Sequence, residues 1–298
     1  MKKGKKILLW VLLVFGMLAG AAGYVVGLYY IDNKAPNFTE NYVLYVRPET
    51  TVGQVVDSLQ ARAGMIRAKS IQRSFNELEV ETKMKPGRYV IDSTATSIYV
   101  ARMLANGWQT PGRLTLSGTI RTKEKLAQKI ASQMMADSAS VVQALDSAEF
   151  LARYGFTPEN IFAMILPDTY QMYWTASVKD IFDRLKKEYD AFWTKERLEK
   201  AKIQKLTPLQ VSVVASIVSG ETLKAFEYPV IAGVYLNRYK KGMKLQADPT
   251  VAFCHGYTPD RILKKHLQVD SPYNTYRYAG LPPAPINVPP KACLDAVL

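Results

Sequence analysis

Glu221 is the residue whose surroundings best suit it to move a proton. Thr207-Pro208 opens a helix, a capping hydroxyl followed by proline at the first helical position. Leu209, Val213, Val214, Ile217 and Val218 then give that helix a wide apolar face, so the spacing predicts a largely buried helix ending at Ser219-Gly220, with Glu221 directly beyond. A carboxylate at the end of a buried apolar helix is costly to ionise, and desolvation raises its pKa. A raised pKa is what a general acid working near neutral pH requires. Two plainer placements satisfy the same pattern: Glu221 turned out to solvent past Gly220, or Glu221 as an acidic first-turn residue of the next helix. Other chemistries have less to stand on. Cys254 and Cys293 are too few for a disulfide framework, and with His255 and His266 they lack the spacing of a zinc site. No metal and no cofactor is expected, and two His in the whole chain make His-based catalysis a poor reading.

Three loops follow Glu221. Leu223 and Lys224 lead into a helix over 229–241 that carries Ile231, Val234, Tyr235 and the pair Asn237-Arg238, closed by Gly242. Leu245 to Thr250 is a polar turn, Ser271 to Tyr276 a polar and aromatic loop, and Gly280 to Ile286 a Pro-dense third. Gln, Asp and Asn side chains can bond sugar hydroxyls, and Tyr rings can stack on sugar faces, so the loops suit a carbohydrate. Each loop alone is equally readable as turn chemistry.

The elements that must position these loops are short. Residues 42–46 read as a strand, Val52, Val55, Val56 and Leu59 recur at helical spacing behind Thr51, 66–78 is a second helical pattern, 88–91 a strand and 97–105 a further helix. This order, strand, helix, helix, strand, is a small α+β module that resembles the LysM-like domain of exported wall proteins; a spacer without a ligand fits it as well. Beyond it, 121–135, 141–151 and 178–200 read as helices, the last mostly a solvated face.

Ahead of all this, Ile7 to Ile31 is 25 residues without a formal charge, long enough to span a bilayer, preceded by Lys2, Lys3, Lys5 and Lys6. That arrangement predicts a single-pass anchor with the N-terminus in the cytoplasm and the rest exported. A cleaved signal at Ala19-Gly20-Ala21 is the competing reading. The net charge is +13, of which +9 lies beyond those four lysines. Export argues against nucleic acid as its target, and leaves anionic lipid or an anionic polymer.

Taken together, ASIVSGET at 215–222, VYLNRYKKGMKLQADPTV at 234–251 and SPYNTYRYAGLPPAPI at 271–286, with Leu166-Pro167-Asp168-Thr169-Tyr170 upstream, resemble the signature segments of the MltG/YceG-like endolytic murein transglycosylases. The resemblance spans nearly the whole plan and is densest from about residue 205 onward. It implies an α+β chain: cytoplasmic tail 1–6, transmembrane helix 7–31, linker 32–40, LysM-like domain 41–110 and a mixed α/β catalytic domain over 111–298. The family's domain continues a few tens of residues further, so its C-terminal part is expected to be missing here.

The implied activity is a lyase reaction without water that cleaves MurNAc-β-1,4-GlcNAc bonds in peptidoglycan strands, leaves 1,6-anhydro ends, and ends elongation of nascent strands. Glu221 is implied as the catalytic acid, and Asn237, Gln246, Asp248, Tyr273 and Asn274 as substrate-binding residues. Peptidoglycan, the membrane and peptidoglycan synthases are the implied partners, and the cytoplasmic membrane the implied location. The chain departs from the family at Ser219, where another Glu is common; this leaves Glu221 as the sole acid. It departs again at Phe162-Ala163-Met164, where Glu-Gly-Tyr is common. A two-carboxylate muramidase using Asp248 and a non-catalytic wall-binding scaffold remain alternatives.

Overall fold

Helix α1 (Lys2–Asn33) opens the computed structural model, which describes residues 2–298; the side chains of residues 1–6 lie outside the described residues, and with them the cytoplasmic-tail reading and its four lysines. The stretch Ile7–Asn33 is long and apolar enough to cross a membrane, and its large side chains are exposed. The chain is α+β and divides into two compact units, one comprising residues 1–112 with 173–175, the other 113–172 with 176–298.

In the first unit, β1 (Tyr42–Val46), α2 (Val52–Arg62), α3 (Ala68–Glu77), α4 (Val80–Lys83), β2 (Gly87–Ile91) and α5 (Ser97–Asn106) follow one another. The strands pair antiparallel with Tyr42 opposite Ile91 and Val46 opposite Gly87. Thr51 closes a capping box with Gln54 at the start of α2. Leu44, Val55, Leu59, Ile71, Tyr89 and Leu104 fill the core.

Residues 32–40, which read as a linker, are instead built into this unit. Helix α1 runs on through Asp32, and Asp32, Asn37 and Phe38 are buried. The Asp32 carboxylate accepts from Ser70 Oγ at 2.5 Å and from Arg73 Nε at 2.8 Å. Asn37 Nδ2 donates to Ser97 Oγ at 2.9 Å and to the Arg67 carbonyl at 3.1 Å. A polar run containing proline reads as a tether because its partners, which sit on α3 and α5, are invisible from the run itself.

The second unit contains β3 (Gly112–Leu116), α6 (Lys123–Ala131), α7 (Ser138–Asp146), α8 (Ala148–Ala152), β4 (Asp168–Met172), α9 (Val178–Phe192), α10 (Lys195–Ile203), α11 (Pro208–Glu221), α12 (Tyr228–Lys240), α13 (Asp248–Cys254) and α14 (Lys291–Val297). Strands β3 and β4 pair with each other. The helix expected over 141–151 is broken at Ser147, whose hydroxyl caps α8, and that over 178–200 at Trp193-Thr194, where Thr194 caps α10. Helix α11 is buried from Val211 through Val218 without a polar face, as an all-round apolar helix must be. Helices α12 and α14 pack against it and supply most of that cover.

Candidate active site

Glu221 is the last residue of α11, so neither the first-turn placement nor a free turn past Gly220 holds. Its surface is open at the mouth of a cleft, yet its carboxyl is hemmed in by the cleft walls and accepts a hydrogen bond from the Tyr235 hydroxyl of α12 at 2.5 Å. Desolvation holds the pKa of Glu221 above the ordinary carboxylate value. The Asp248 charge adds to the rise, and the Tyr235 hydrogen bond works against it. The carbonyl end of a helix is also the wrong end for an anion. Tyr235 is pushed far above the usual tyrosine range, mainly by burial and then by Glu221, so it stays a donor throughout.

The cleft, about 240 Å³, is lined by Arg121, Glu221, Asp248, Tyr257, Asp260 and Asn287, among others. Asp248 is the first residue of α13, a helix where the sequence suggested only a turn. Its Oδ1 accepts from the Tyr276 hydroxyl at 2.6 Å, and burial followed by that bond pushes the Tyr276 pKa up to about 12. Two buried threonines join the loops that carry this pair. Thr250 Oγ1 and Thr275 Oγ1 lie 2.9 Å apart, Ala247 N–H donates to Thr275 Oγ1 at 3.0 Å, and Gln246 N–H donates to the Thr275 carbonyl at 3.1 Å. These bonds, with Arg238 Nη1 donating to the Leu245 carbonyl at 2.6 Å, hold Gln246 at a φ of 54°, the left-handed region that a non-glycine residue enters only when its surroundings force it.

Gly220 sets the spacing between the acid and this loop. A Cβ there would sit 2.6 Å from Pro249 Cβ, so α11 and α13 approach as closely as they do only because residue 220 has no side chain. On the other flank, Asn287 Nδ2 donates to the Ser216 carbonyl at 2.8 Å, and Ser219 Oγ lies 2.8 Å from Asn287 Oδ1. Ser219 is thus an anchor for the loop after Ile286. A cavity of about 310 Å³ shares Asn287 with the cleft and is walled by Thr115, Ser117, Thr119, Thr169 and Ser219. A second, of about 370 Å³, shares Arg121 and Tyr257 with it. Two further cavities therefore border the cleft that Glu221 lines. Among the described residues no group of three or more His, Cys, Asp or Glu comes together as a metal site.

A family model described as the YceG-like family matches residues 44–298, which is most of the chain. The chain belongs to the YceG-like family. It is 38% identical over 110 residues to a Bacillus subtilis (strain 168) protein named endolytic murein transglycosylase, a match covering 37% of this chain and 30% of that one. A Streptococcus pneumoniae (strain D39) protein of the same name is 23% identical over 96% of this chain. The match spans 57% of the pneumococcal protein's length. A crystal structure of a YceG-like protein from Listeria monocytogenes has the same fold, with a TM-score of 0.57, 24% identity, and coverage of 87% of this chain and 90% of that one.

Of the YceG-like residues singled out from sequence, the fold brings Glu221 and Asp248 into one cleft. Asn237 and Gln246 are exposed and are not among the residues lining that cleft. Tyr273 lies in the neighbouring 370 Å³ cavity, packed on Phe253 with ring centroids 4.6 Å apart. Asn274 is corrected outright: it is fully buried, Nδ2 donates to the carbonyls of Val269 at 2.7 Å and Leu267 at 3.0 Å, and Oδ1 accepts the Tyr276 N–H. It holds the loop that presents Tyr276 and has no surface left for a ligand. Asn274→Ala should strand two carbonyls, at about 1–3 kcal/mol per buried unsatisfied group, and differential scanning calorimetry should record a drop of several degrees in Tm.

Tyr235, Tyr257, Tyr276, Asn287 and Arg121 were missed. A buried tyrosine on a packed helix must find a partner for its hydroxyl, a signal that would have singled out Tyr235. Its bond to Glu221 and the charge of Asp248 have opposite effects on the YceG-like acid. Tyr235→Phe removes a bond to the charged form, so the Glu221 pKa rises; Asp248→Asn removes a repelling charge, so it falls. The alkaline limb of the pH–rate profile should therefore move up for Tyr235→Phe and down for Asp248→Asn. Shifts in the same direction would refute the arrangement.

Proposed function

We propose that this chain is an endolytic peptidoglycan lytic transglycosylase with Glu221 as its one acid and base. The observation that carries the reading is a carboxyl with a raised pKa lining a cleft that is bordered by two further cavities, space for sugars beyond the bond to be broken. The names of the relatives give the substrate class. Glu221 protonates the departing glycosidic oxygen as the C1–O bond breaks. As carboxylate it then takes the proton of the MurNAc C6 hydroxyl, whose oxygen bonds to C1 and closes a 1,6-anhydro ring. The nucleophile belongs to the sugar already, and its high effective concentration favours it over water. The glycan on the far side leaves with a free hydroxyl, the acid returns to its starting state, and strand elongation ends there.

Helix α1 serves in this reading as a single-pass anchor over residues 7–31 in the cytoplasmic membrane. Residues 1–6 then face the cytoplasm, 41–110 form a LysM-like domain, and 111–298 form the catalytic domain outside, where it meets nascent strands and their synthases. One observation favours a second reading: Asp248 lines the same cleft as Glu221, and hydrolytic glycosidases use two carboxylates. Digesting purified peptidoglycan and reading the fragments by mass spectrometry separates the two. Anhydro-MurNAc ends support the transglycosylase; reducing MurNAc ends identify a muramidase; an undigested sacculus that retains the protein identifies a wall-binding scaffold.

A further inference from the structure

The two cavities beside Glu221 differ in chemistry, and the larger carries a feature the reaction above does not use. Arg121, just ahead of α6, lies at the junction of the cleft and the 370 Å³ cavity. Its guanidinium stands 4.8 Å over the Tyr257 ring and forms no ion pair among the described residues. Lys123, the other cation of that wall, is held by Asp146 at 2.6 Å. Glu159 in the same wall accepts from Thr157 Oγ1 at 2.6 Å. Asp260 lines the cleft without pairing to Arg121.

Tyr257 is itself held under strain. Its φ is 59° directly after Gly256 at 61°, its hydroxyl donates to the Ile286 carbonyl, and its N–H donates to the Ala252 carbonyl at 2.8 Å. A bulky residue in the left-handed region costs on the order of 1–3 kcal/mol and persists where the surrounding structure fixes it, often at ligand clamps. Here it places an aromatic face under an unpaired guanidinium, in the wall of a cavity that Phe162, Phe253 and Tyr273 also line, together with Glu124 and Glu159. That volume falls within the range of small-ligand pockets, about 300–1,000 Å³.

We infer that this cavity receives the carboxylate-bearing 3-O-lactyl arm of a muramic residue, with the carboxylate bound to the fork of Arg121 and the apolar part of the arm against the aromatic walls. A guanidinium held over a ring face without an ion pair keeps N–H donors for bidentate contact with a carboxylate. The lactyl arm is what distinguishes murein from a polymer of GlcNAc alone, so Arg121 is a specificity-determining residue. The inference rests on the proposed reaction for its substrate. Two sources carry the same chemistry: the lactyl carboxylate of peptide-free strands, and the carboxylates of an attached stem peptide.

The test uses the full chain with Glu221→Gln, which binds without turning over, and three soluble strand preparations: peptide-bearing, peptide-free, and peptide-free with the lactyl carboxylate capped as its methylamide. Isothermal titration calorimetry should find one or both carboxylate-bearing preparations bound about 10–100-fold more tightly than the capped one, the range for a charge-assisted bidentate contact. Adding Arg121→Gln should erase that discrimination, and Arg121→Lys should leave it partial, since it keeps the charge and loses the fork. Discrimination confined to the peptide-bearing strands assigns the stem peptide; discrimination on the peptide-free strands assigns the lactyl group. Equal binding of all three preparations overturns the inference, as does discrimination that survives Arg121→Gln. Arg121-dependent binding together with an Arg121-intact, Glu221-intact chain that never cleaves would uphold the inference and reject the proposed reaction.

Discussion

Glu221→Gln should abolish strand cleavage while leaving the fold intact. General acid catalysis contributes about 10²–10⁴-fold, and in the proposed mechanism one group serves both proton transfers, so the loss in kcat should reach at least that range. Gln keeps an oxygen that can accept from Tyr235, so the contact seen at 2.5 Å has a replacement. Stability should respond to pH with a definite sign. The folded-state pKa of Glu221 is raised, so the native state holds a proton that the unfolded chain gives up first, and wild-type stability falls as pH rises from about 4.3 through the raised value. The variant lacks that fall. Its Tm should match the wild type near pH 4 and equal or exceed it at pH 7. Near-normal release of anhydro-ended strands by Glu221→Gln would reject the mechanism, and a variant less stable than wild type only at pH 7 would reject the account of the pKa.

Gly220→Ala should also suppress the proposed strand cleavage, through geometry. Two effects on stability oppose each other. Alanine gains about 0.8–1 kcal/mol over glycine in a helix, but its Cβ would lie 2.6 Å and 2.9 Å from the ring carbons of Pro249, and relieving such a clash costs about 1–3 kcal/mol. Pro249 is buried and its ring is stiff, so the relief must come from α11 and α13 moving apart. The expected net change is a modest loss, up to about 2 kcal/mol, in a protein that still folds cooperatively. Activity should fall much further, because Glu221 and Asp248 flank that contact, and displacing a catalytic group by about 1 Å costs on the order of 10²-fold. A Gly220→Ala chain with wild-type kcat/KM would show that the spacing of these helices does not matter.

The parts of this site that could be read from the sequence are those whose physics is local. A capped, proline-started, apolar helix predicts a buried helix ending at Ser219-Gly220 with Glu221 directly beyond; α11 is that helix, and it runs one residue further to include Glu221. Asp248 stood in a recognisable motif, although its helix did not declare itself, because Ala247 has no capping side chain and α13 is only seven residues long. What stayed hidden depends on pairs far apart in sequence. Ser219 meets Asn287 at a separation of 68 residues, Thr250 meets Thr275 at 25, and Arg121 meets Tyr257 across more than a hundred. Asn274 shows the reverse problem: a polar side chain in a polar loop reads as a ligand contact, whereas its hydrogen bonds are all spent on its own loop. The two long helices expected over 141–151 and 178–200 failed for a related reason. Ser147 and Thr194 are tolerable inside a helix, and only the packing around them makes them caps.

The burial of Asp32 against Ser70 and Arg73 gives the first unit a rotational phase. Because α1 runs unbroken into that contact, the face of the helix that lipid would touch and the edge of the β1–β2 pair are fixed to one another by residue count. Each residue added within the helix would turn the domain by about 100° and raise it by about 1.5 Å. A bilayer that gripped α1 would thereby orient the domain as well as retain it, in the way a keyed shaft orients what is mounted on it. Inserting one alanine ahead of Asp32 would reset that angle by more than a quarter turn.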